Sequence, residues 1–178
     1  RFGMARRTGL GGTAVNTRVI DNLRKAELFA NLTDAELLQV ARICKAVRAP
    51  AGHTIFNEGD DGDEMYVIHD GCVRVMLSAR GEDGSPTRST INTLYPGQCF
   101  GEVVLLRGSL RTATVVTAEP TTLIVLREPD FRALCESAPR IGYVVMFNLA
   151  QDLAYKLHSS NLLLRGNIRW RGDELGKR

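Results

Sequence analysis

The chain has 178 residues, of which 44% are hydrophobic and 24% are charged. This length suits one domain of ordinary size, and no apolar run reaches the roughly 18 residues that a membrane span needs. Basic residues are in excess only near the two ends, in residues 1–25 and 165–178, whereas acidic residues are in excess over 26–164. A nucleic-acid-binding domain carries its basic excess on the folded part, so this distribution argues against one.

Helical spacing near the N-terminus predicts two short helices. Apolar residues recur at helical intervals across residues 16–30. Thr33 and Glu36 then form a capping box, in which each side chain satisfies the backbone N–H of the other residue, and this pair predicts the start of a second helix. We therefore expect helices within 16–46, preceded by a disordered basic N-terminus over 1–15.

The middle of the chain consists of short runs rich in β-branched and aromatic residues, separated by Gly, Asp, Asn and Pro. The runs that predict strands are 54–57, 64–69, 73–77, 89–94, 112–117 and 121–126. Short strands at such regular intervals are typical of an antiparallel sandwich or barrel. The polar stretch 79–88 predicts a hairpin tip.

Helical spacing returns after the last of these runs. Pro129 suits the first turn of a helix that continues over 130–137, and a longer helix is predicted over 141–164. One apolar seam of this longer helix consists of Met146, Leu149, Leu153 and Leu157. In an isolated domain that seam packs on the barrel. Three aromatic residues lie on other faces, namely Tyr143, Phe147 and Tyr155. A helix with two apolar faces favours a homodimer through 141–164, and residues 165–178 are expected to form a basic tail.

The cysteines and histidines do not suggest a metal site. Four cysteines and three histidines are scattered without a C-x-x-C pair or a histidine cluster. This pattern argues against a zinc site and a disulfide framework, and it favours a reducing, intracellular compartment, which we take to be the cytoplasm. We expect no metal and no resident cofactor.

Residues 100–115 carry the chemistry that the sequence suggests. A glycine, a short apolar turn and an arginine follow one another there, between two predicted strands. The backbone N–H groups at the start of such a turn attract an anion, and the guanidinium of Arg111 matches a phosphate bidentately. Glu102 suits the neighbourhood of an anion only if hydroxyl groups lie between them, as a ribose provides. Alternatively, Glu102 and Arg111 form a simple ion pair, which would contribute only about 0–1 kcal/mol.

Seven stretches of the chain resemble the cyclic-nucleotide-binding domain family, a module shared by the bacterial catabolite activator protein, protein kinase A regulatory subunits and cyclic-nucleotide-gated channels. In family order they are FANLT at 29–33, AGHTIF at 51–56, EGD at 58–60, MYVI at 65–68, GCVRV at 71–75, PGQCFGE at 96–102 and RTATV at 111–115. The resemblance covers about 26–164. It implies an α+β, mainly β fold: an antiparallel β-roll of the jelly-roll type (a double-stranded β-helix), flanked by N-terminal helices and a long C-terminal helix. The domain would span 16–164, with the roll over 47–127, the phosphate-binding cassette over 100–115 and the C-terminal helices over 128–164.

The resemblance also implies a role for individual residues. Glu102 would accept a hydrogen bond from the ribose 2′-hydroxyl, and Arg111 would bind the cyclic phosphate. Thr112 would place a hydroxyl near the phosphate or the base. The backbone N–H groups of Gly101, Glu102 and Ala113 would complete the phosphate cradle, and Val103 is a further ligand-binding position of the cassette. The positions that would contact the base are Val75, Ile91, Ser160 and Asn161.

The residues indicate the identity of the base less clearly than they indicate the phosphate and ribose contacts. Asn161 replaces a hydroxyl residue of the catabolite activator protein, and a threonine at the position of Thr112 is associated with guanine in related eukaryotic domains. We expect cAMP to be favoured over cGMP.

The resemblance implies a non-enzymatic regulatory sensor, in which the ligand repositions the last helix and thereby a regulated effector domain or protein. The alternative is a scaffold or dimerisation domain of the same fold that has lost its ligand. A metal-dependent enzyme of the cupin type is disfavoured by the scattered histidines. Only 14 residues follow Leu164, too few for a helix-turn-helix domain, so we expect no direct DNA binding by this chain.

Overall fold

The computed structural model describes residues 14–80, 85–106 and 109–175, and within them the side chains from Val19 to His158 except those of residues 80, 86, 109 and 156. Within these residues the α-helices α1 to α4 are Ala14–Lys25, Asp34–Ile43, Glu128–Ser137 and Pro139–Leu175. Two 3₁₀ turns are Glu27–Phe29 and Glu102–Leu105. The strands β1 to β10 are Lys45–Ala49, Thr54–Phe56, Asp61–Gly62, Glu64–Asp70, Val73–Arg80, Pro86–Leu94, Cys99–Phe100, Ser109–Leu110, Thr114–Thr117 and Thr121–Arg127.

The strands form two antiparallel sheets and one small ladder. The first sheet has the order β1-β10-β4-β7 and the second the order β2-β9-β5-β6, while β3 pairs with β8. Every pairing is antiparallel. The predicted fold class is confirmed: an antiparallel roll flanked by N-terminal and C-terminal helices.

Strand β4 separates two hydrophobic cores. Because successive side chains of a strand point to opposite faces, Tyr66 and Ile68 pack between the two sheets, whereas Met65 and Val67 pack against the helices. The helical core also includes residues of α1, α2, α3 and α4. The helices are therefore attached to the outer face of the first sheet, and the inter-sheet space is left to the second core and to the site described below.

The capping box predicted from Thr33 and Glu36 starts α2. The Thr33 hydroxyl accepts a hydrogen bond from the Glu36 backbone N–H at 3.4 Å, and the Glu36 carboxylate accepts one from the Thr33 N–H at 2.8 Å. The Glu36 carboxylate also pairs with Arg140 at the start of α4. One carboxylate thus caps a helix and joins it to a second helix about one hundred residues later.

The structure differs from the sequence-based expectation at several element ends. The first predicted helix is split, because Ala26 is extended and separates α1 from the 3₁₀ turn. The predicted end of the last helix at Leu164 is wrong, since α4 continues to Leu175 and includes most of the predicted tail. Gly166 and Gly172 do not stop it, because a glycine within a helix costs only about 1 kcal/mol. Residues 1–13, which form most of the predicted N-terminal tail, lie outside the described part.

Four strands were not predicted: β1, β3, β7 and β8. Three of them have only two residues, which is too short for a period of two to be recognised. The small ladder of Asp61 with Leu110 and Gly62 with Ser109 nevertheless matters for the site, since it places Arg111.

Candidate functional site

A cavity of about 540 Å³ opens beside the 3₁₀ turn Glu102–Leu105, between that turn, strands β5 and β6, and the residues that lead into β9. Its wall includes eight of the ten residues singled out from the sequence, namely Val75, Ile91, Gly101, Glu102, Val103, Arg111, Thr112 and Ala113. The other two, Ser160 and Asn161, belong to α4, but their side chains lie outside the described part. Residues far apart in sequence therefore meet at one concave surface.

Gly101 begins the 3₁₀ turn in a conformation that favours glycine. Its φ of +72° lies in the left-handed region. A Cβ at this position would lie 2.8 Å from Nη1 of Arg111 and 3.2 Å from the carbonyl oxygen of Glu64. The turn closes with a hydrogen bond from the Leu106 N–H to the Val103 oxygen at 3.1 Å. The glycine thus allows the start of the turn to lie close to the guanidinium.

Arg111 is buried, with only 6% of its surface exposed. Its backbone N–H donates to the Asp60 oxygen at 2.9 Å, and its own carbonyl accepts from Gly59 at 2.8 Å. The side chain donates from Nη1 to the Glu64 carbonyl oxygen at 2.7 Å. Burial lowers the pKa of Arg111, although an arginine stays protonated in proteins.

The guanidinium of Arg111 has hydrogen-bonding capacity left. Its Nε atom is buried without a hydrogen-bond partner among the described residues. A buried donor without a partner costs free energy, more so on a charged group, and Arg111 is the one buried cation among the described residues of the cavity wall. The hydrogen bond from Nη1 goes to a backbone carbonyl rather than to Glu102, so the simple ion pair considered from the sequence is not what holds Arg111.

Glu102 is the second buried charged residue of the cavity wall, at 7% exposure. It is the first residue of the 3₁₀ turn, and it also borders a second cavity of about 640 Å³ between the N-terminal helices, the β6–β7 connection and α4. A carboxylate is an acceptor only. Together with Arg111 it gives one wall an acceptor for hydroxyl groups and a donor for an anion.

The opposite wall is mostly apolar and contains a β-bulge. Val75 of β5 lies opposite Asn92, but the next residue, Met76, lies opposite Thr90. Ile91 is the extra residue of the bulge, and its side chain is 57% exposed at the cavity mouth. Because of the bulge, Ile91 and Asn92 both reach the cavity, although neighbours in a regular strand point to opposite faces.

Several wall residues lie outside the cassette and were missed by the sequence analysis, among them Phe56, Leu77, Asn92, Leu94, Cys99 and Leu153. Most lie in strands whose apolar side chains look the same whether they face the core or a cavity. Asn92 could not have been found without the register shift beside it, and Leu153 was assigned only to the apolar seam of its helix.

Helix α4 passes the cavity and is held by polar contacts to the N-terminal helices. The Asn148 side-chain amide donates to the carbonyl oxygens of Leu28 at 3.1 Å and Ala30 at 2.9 Å. Arg140 pairs with Glu36, and Leu153 reaches the cavity wall. The position of this helix at the cavity therefore depends on contacts near the 3₁₀ turn Glu27–Phe29.

The described part of the chain contains no group of three or more His, Cys, Asp or Glu residues that could hold a metal ion. Its four cysteines are free thiols, and burial raises the pKa of Cys44 to about 12. Over the same residues, no helix is long and apolar enough to cross a membrane. The polar side chains of the cavity wall include Arg111, Glu102, Thr112 and Asn92.

Residues 46–138 match the cyclic nucleotide-binding domain family. The chain belongs to this family. It is 35% identical over 142 residues to the cyclic AMP receptor protein of Thermus thermophilus, a match that covers 80% of this chain and 62% of that protein. It is also 35% identical over 117 residues to a cyclic nucleotide-gated potassium channel of Mesorhizobium japonicum, covering 66% of this chain and 30% of the channel.

The fold agrees with the family assignment. The chain superimposes on the crystal structure of a cyclic nucleotide-binding domain from Methylobacillus flagellatus with a TM-score of 0.69 at 25% identity, covering 82% of this chain and 79% of that one. The resemblance stated from the sequence is confirmed. The chain spans less than two thirds of the length of the two curated relatives named above.

Proposed function

We propose that this chain is a regulatory domain that binds a cyclic nucleotide in the 540 Å³ cavity, with Arg111 on the cyclic phosphate and Glu102 on the ribose 2′-hydroxyl. The observation that carries the proposal is the buried guanidinium with an unpartnered Nε beside a buried carboxylate in one cavity. A cyclic nucleotide offers an anion and a neighbouring hydroxyl in one rigid ring system. The proposed role is binding and regulation, without catalysis.

The remaining wall residues would complete the binding site. The backbone N–H groups of Gly101, Glu102 and Ala113 would donate to the phosphate, with Val103 continuing the turn, and the hydroxyl of Thr112 would lie near the phosphate or base. Val75 and Ile91 would contact the base on its apolar side. Ser160 and Asn161 would approach it from α4.

We infer a preference for cAMP over cGMP from the apolar character of the base-facing wall. The side chains of Val75, Ile91 and Leu153 offer no hydrogen-bond partners, and guanine carries an additional carbonyl and amino group that would be desolvated against them. The Asn92 amide, next to Ile91, is the polar exception on this wall. Thr112 follows Arg111 in the cassette, and its hydroxyl could serve either base. The preference is therefore expected to be modest.

The proposed regulatory step is a repositioning of α4. A ligand changes an equilibrium only by binding one state more tightly than the other, and coupling of this kind is typically about 1–3 kcal/mol. The base would contact α4 near Leu153, while Asn148 and Arg140 hold the same helix to the N-terminal elements. Ligand binding and helix position would then be coupled through one helix, and a regulated effector domain or protein would respond to it.

We further propose that α4 forms a homodimer. Tyr143, Phe147 and Leu157 are 69%, 52% and 64% exposed. With the exposed Ala150 and Ala154 they form a stripe whose members are four and three residues apart in alternation, which is the spacing of a coiled-coil seam. A second copy of the chain would bury this stripe, and Phe147→Glu should convert a dimer into a monomer in sedimentation velocity.

We also propose that the chain is located in the cytoplasm, because its described cysteines are free thiols.

Isothermal titration of the full chain with cAMP and with cGMP tests the proposal. The parent should bind at least one of them, and Arg111→Ala should weaken binding by about a hundredfold or more, because it removes one partner of a buried charged pair. The matched control is Arg132→Ala, which makes the same change at an exposed arginine of α3. A parent that binds neither nucleotide at millimolar concentration would instead indicate a scaffold of the same fold.

A further inference from the structure

The guanidinium of Arg111 lies on an aromatic ring. Its Cζ atom is 4.1 Å from the centroid of the Phe56 ring and 5.9 Å from that of Tyr66. Phe56 in turn contacts Tyr66 and Phe100, with ring centroids 6.0 and 5.9 Å apart. A cation over an aromatic face is attracted by the ring quadrupole, more strongly when both are removed from water.

Gly62 of β3 leaves the space that this guanidinium fills. A Cβ at position 62 would lie 2.3 Å from Nη2, 2.6 Å from Nε and 2.7 Å from Cζ of Arg111. Gly62 does not have a positive φ, so an alanine would suit the backbone, and the three atoms nearest to its Cβ would all belong to the arginine side chain. The role of this glycine is therefore space for a side chain rather than turn geometry.

The polar surroundings of the guanidinium are incomplete without a ligand. The Glu64 carbonyl accepts from Nη1, and the nearby carboxylates of Glu64, Asp63 and Asp60 favour the charged form. Nε has no partner among the described residues. A buried guanidinium with an unpartnered N–H group would move toward water unless other contacts hold it in place.

We propose that Phe56 and Gly62 are positioning residues that keep the Arg111 guanidinium inside the cavity wall before an anionic ligand arrives. This inference rests on the proposed function for the identity of the ligand. Phe56 supplies the aromatic face and Gly62 the space, so the ligand does not have to draw the side chain out of water and order it on binding. Such preorganisation raises affinity by lowering the cost of association.

The placement of the guanidinium is tested without any ligand. Gly62→Ala should lower the urea midpoint of the parent, because the new methyl group meets Arg111. In the Arg111→Ala background, where the side chain is absent, the same substitution should leave the midpoint unchanged or raise it. An equal loss in both backgrounds would overturn the role assigned to Gly62.

Titration with cAMP and cGMP tests the consequence for binding. Phe56→Leu should weaken binding of the nucleotide by about 3- to 30-fold, the range of a desolvated cation–aromatic contact, and Phe56→Tyr, which keeps an aromatic face, should restore most of it. Phe131→Leu is the matched control, because it makes the same change at a buried phenylalanine of α3 in the helical core. It should lower stability while leaving affinity unchanged.

The outcomes separate this inference from the proposed function. If Phe56→Leu bound as tightly as the parent, or if Phe56→Tyr were as weak as Phe56→Leu, the positioning role would be wrong while the proposed function stood. If the parent bound neither nucleotide, the proposed function would fail together with the ligand-binding part of this inference. The urea comparison would still decide whether Gly62 accommodates the guanidinium.

Discussion

The cassette over 100–115 and the long helix α4 differ in how they are built. The charged groups of the cassette, Glu102 and Arg111, are at least nine-tenths buried, and they are placed by a short turn and a two-residue ladder. The start of α4 is anchored in the helical core by Ile141, Val145 and Leu149 and is tied to the N-terminal elements by Asn148 and Arg140, whereas none of its described residues after Leu149 is buried. Its outer side exposes large aromatic residues.

This difference separates two tasks. A buried site can recognise a ligand because its groups stay in place, whereas the part of α4 beyond Leu149, which has no buried residue among those described, can change position at a smaller cost in free energy. Variants of the cassette should therefore change affinity strongly, and variants of the contacts of α4 should mainly change stability and coupling.

The largest effect is expected for Arg111→Met. Binding of cAMP should be lost, because the donor for the phosphate is gone. The free energy of unfolding of the ligand-free protein should be unchanged or higher, because an apolar side chain of similar length replaces a buried, incompletely partnered charge. Titration and urea unfolding measure the two quantities, and a clearly less stable protein would show that Arg111 supports the fold itself.

Glu102→Gln should have a smaller effect on binding. We expect about a 10- to 100-fold loss of cAMP affinity, the range for a hydrogen bond to a charged group. Comparison with 2′-deoxy-cAMP isolates the contact. The parent should discriminate against the deoxy ligand, and Glu102→Gln should discriminate much less. Equal discrimination by both proteins would assign the 2′-hydroxyl to another residue.

Asn148→Leu tests the attachment of α4. It removes the donor to the Leu28 and Ala30 carbonyls, and the free energy of unfolding should fall by about 1–2 kcal/mol. If ligand binding repositions the helix, a weaker attachment makes that movement less costly, so cAMP affinity should rise by about two- to fivefold. Gln151→Leu, one turn away at an exposed position, is the control and should change neither quantity. Lower affinity in Asn148→Leu would contradict the repositioning.

The smallest expected effect is a pH dependence at the joint between α2 and α4. Arg140, together with the Thr33 backbone N–H, lowers the pKa of Glu36 to about 2 from its ordinary 4.5. A carboxyl group with a lowered pKa stabilises the fold fully above pH 4.5, and this stabilisation is lost as the pH falls toward 2. The parent should therefore exceed Glu36→Gln in free energy of unfolding by a constant amount above pH 4.5, and this difference should shrink as the pH falls toward 2. A difference independent of pH would exclude the ionised carboxylate as its source.

The sequence predicted the parts of this molecule that depend on local patterns. The capping box of α2, six of the longer strands and the run from Gly101 to Ala113 are recognisable because the residues that act together are near one another in the chain. The bulge at Ile91, the space left by Gly62 and the aromatic ring beneath Arg111 depend on strand register and on contacts between distant segments. No periodicity within a single stretch could have indicated them.

A crystal structure of the full chain with cAMP would test the central claim most directly. The account predicts the cyclic phosphate within hydrogen-bonding distance of the Arg111 guanidinium and the backbone of the turn, with the ribose 2′-hydroxyl on Glu102. A nucleotide bound outside the 540 Å³ cavity, or bound within it with Arg111 still directed only to the Glu64 carbonyl, would contradict it.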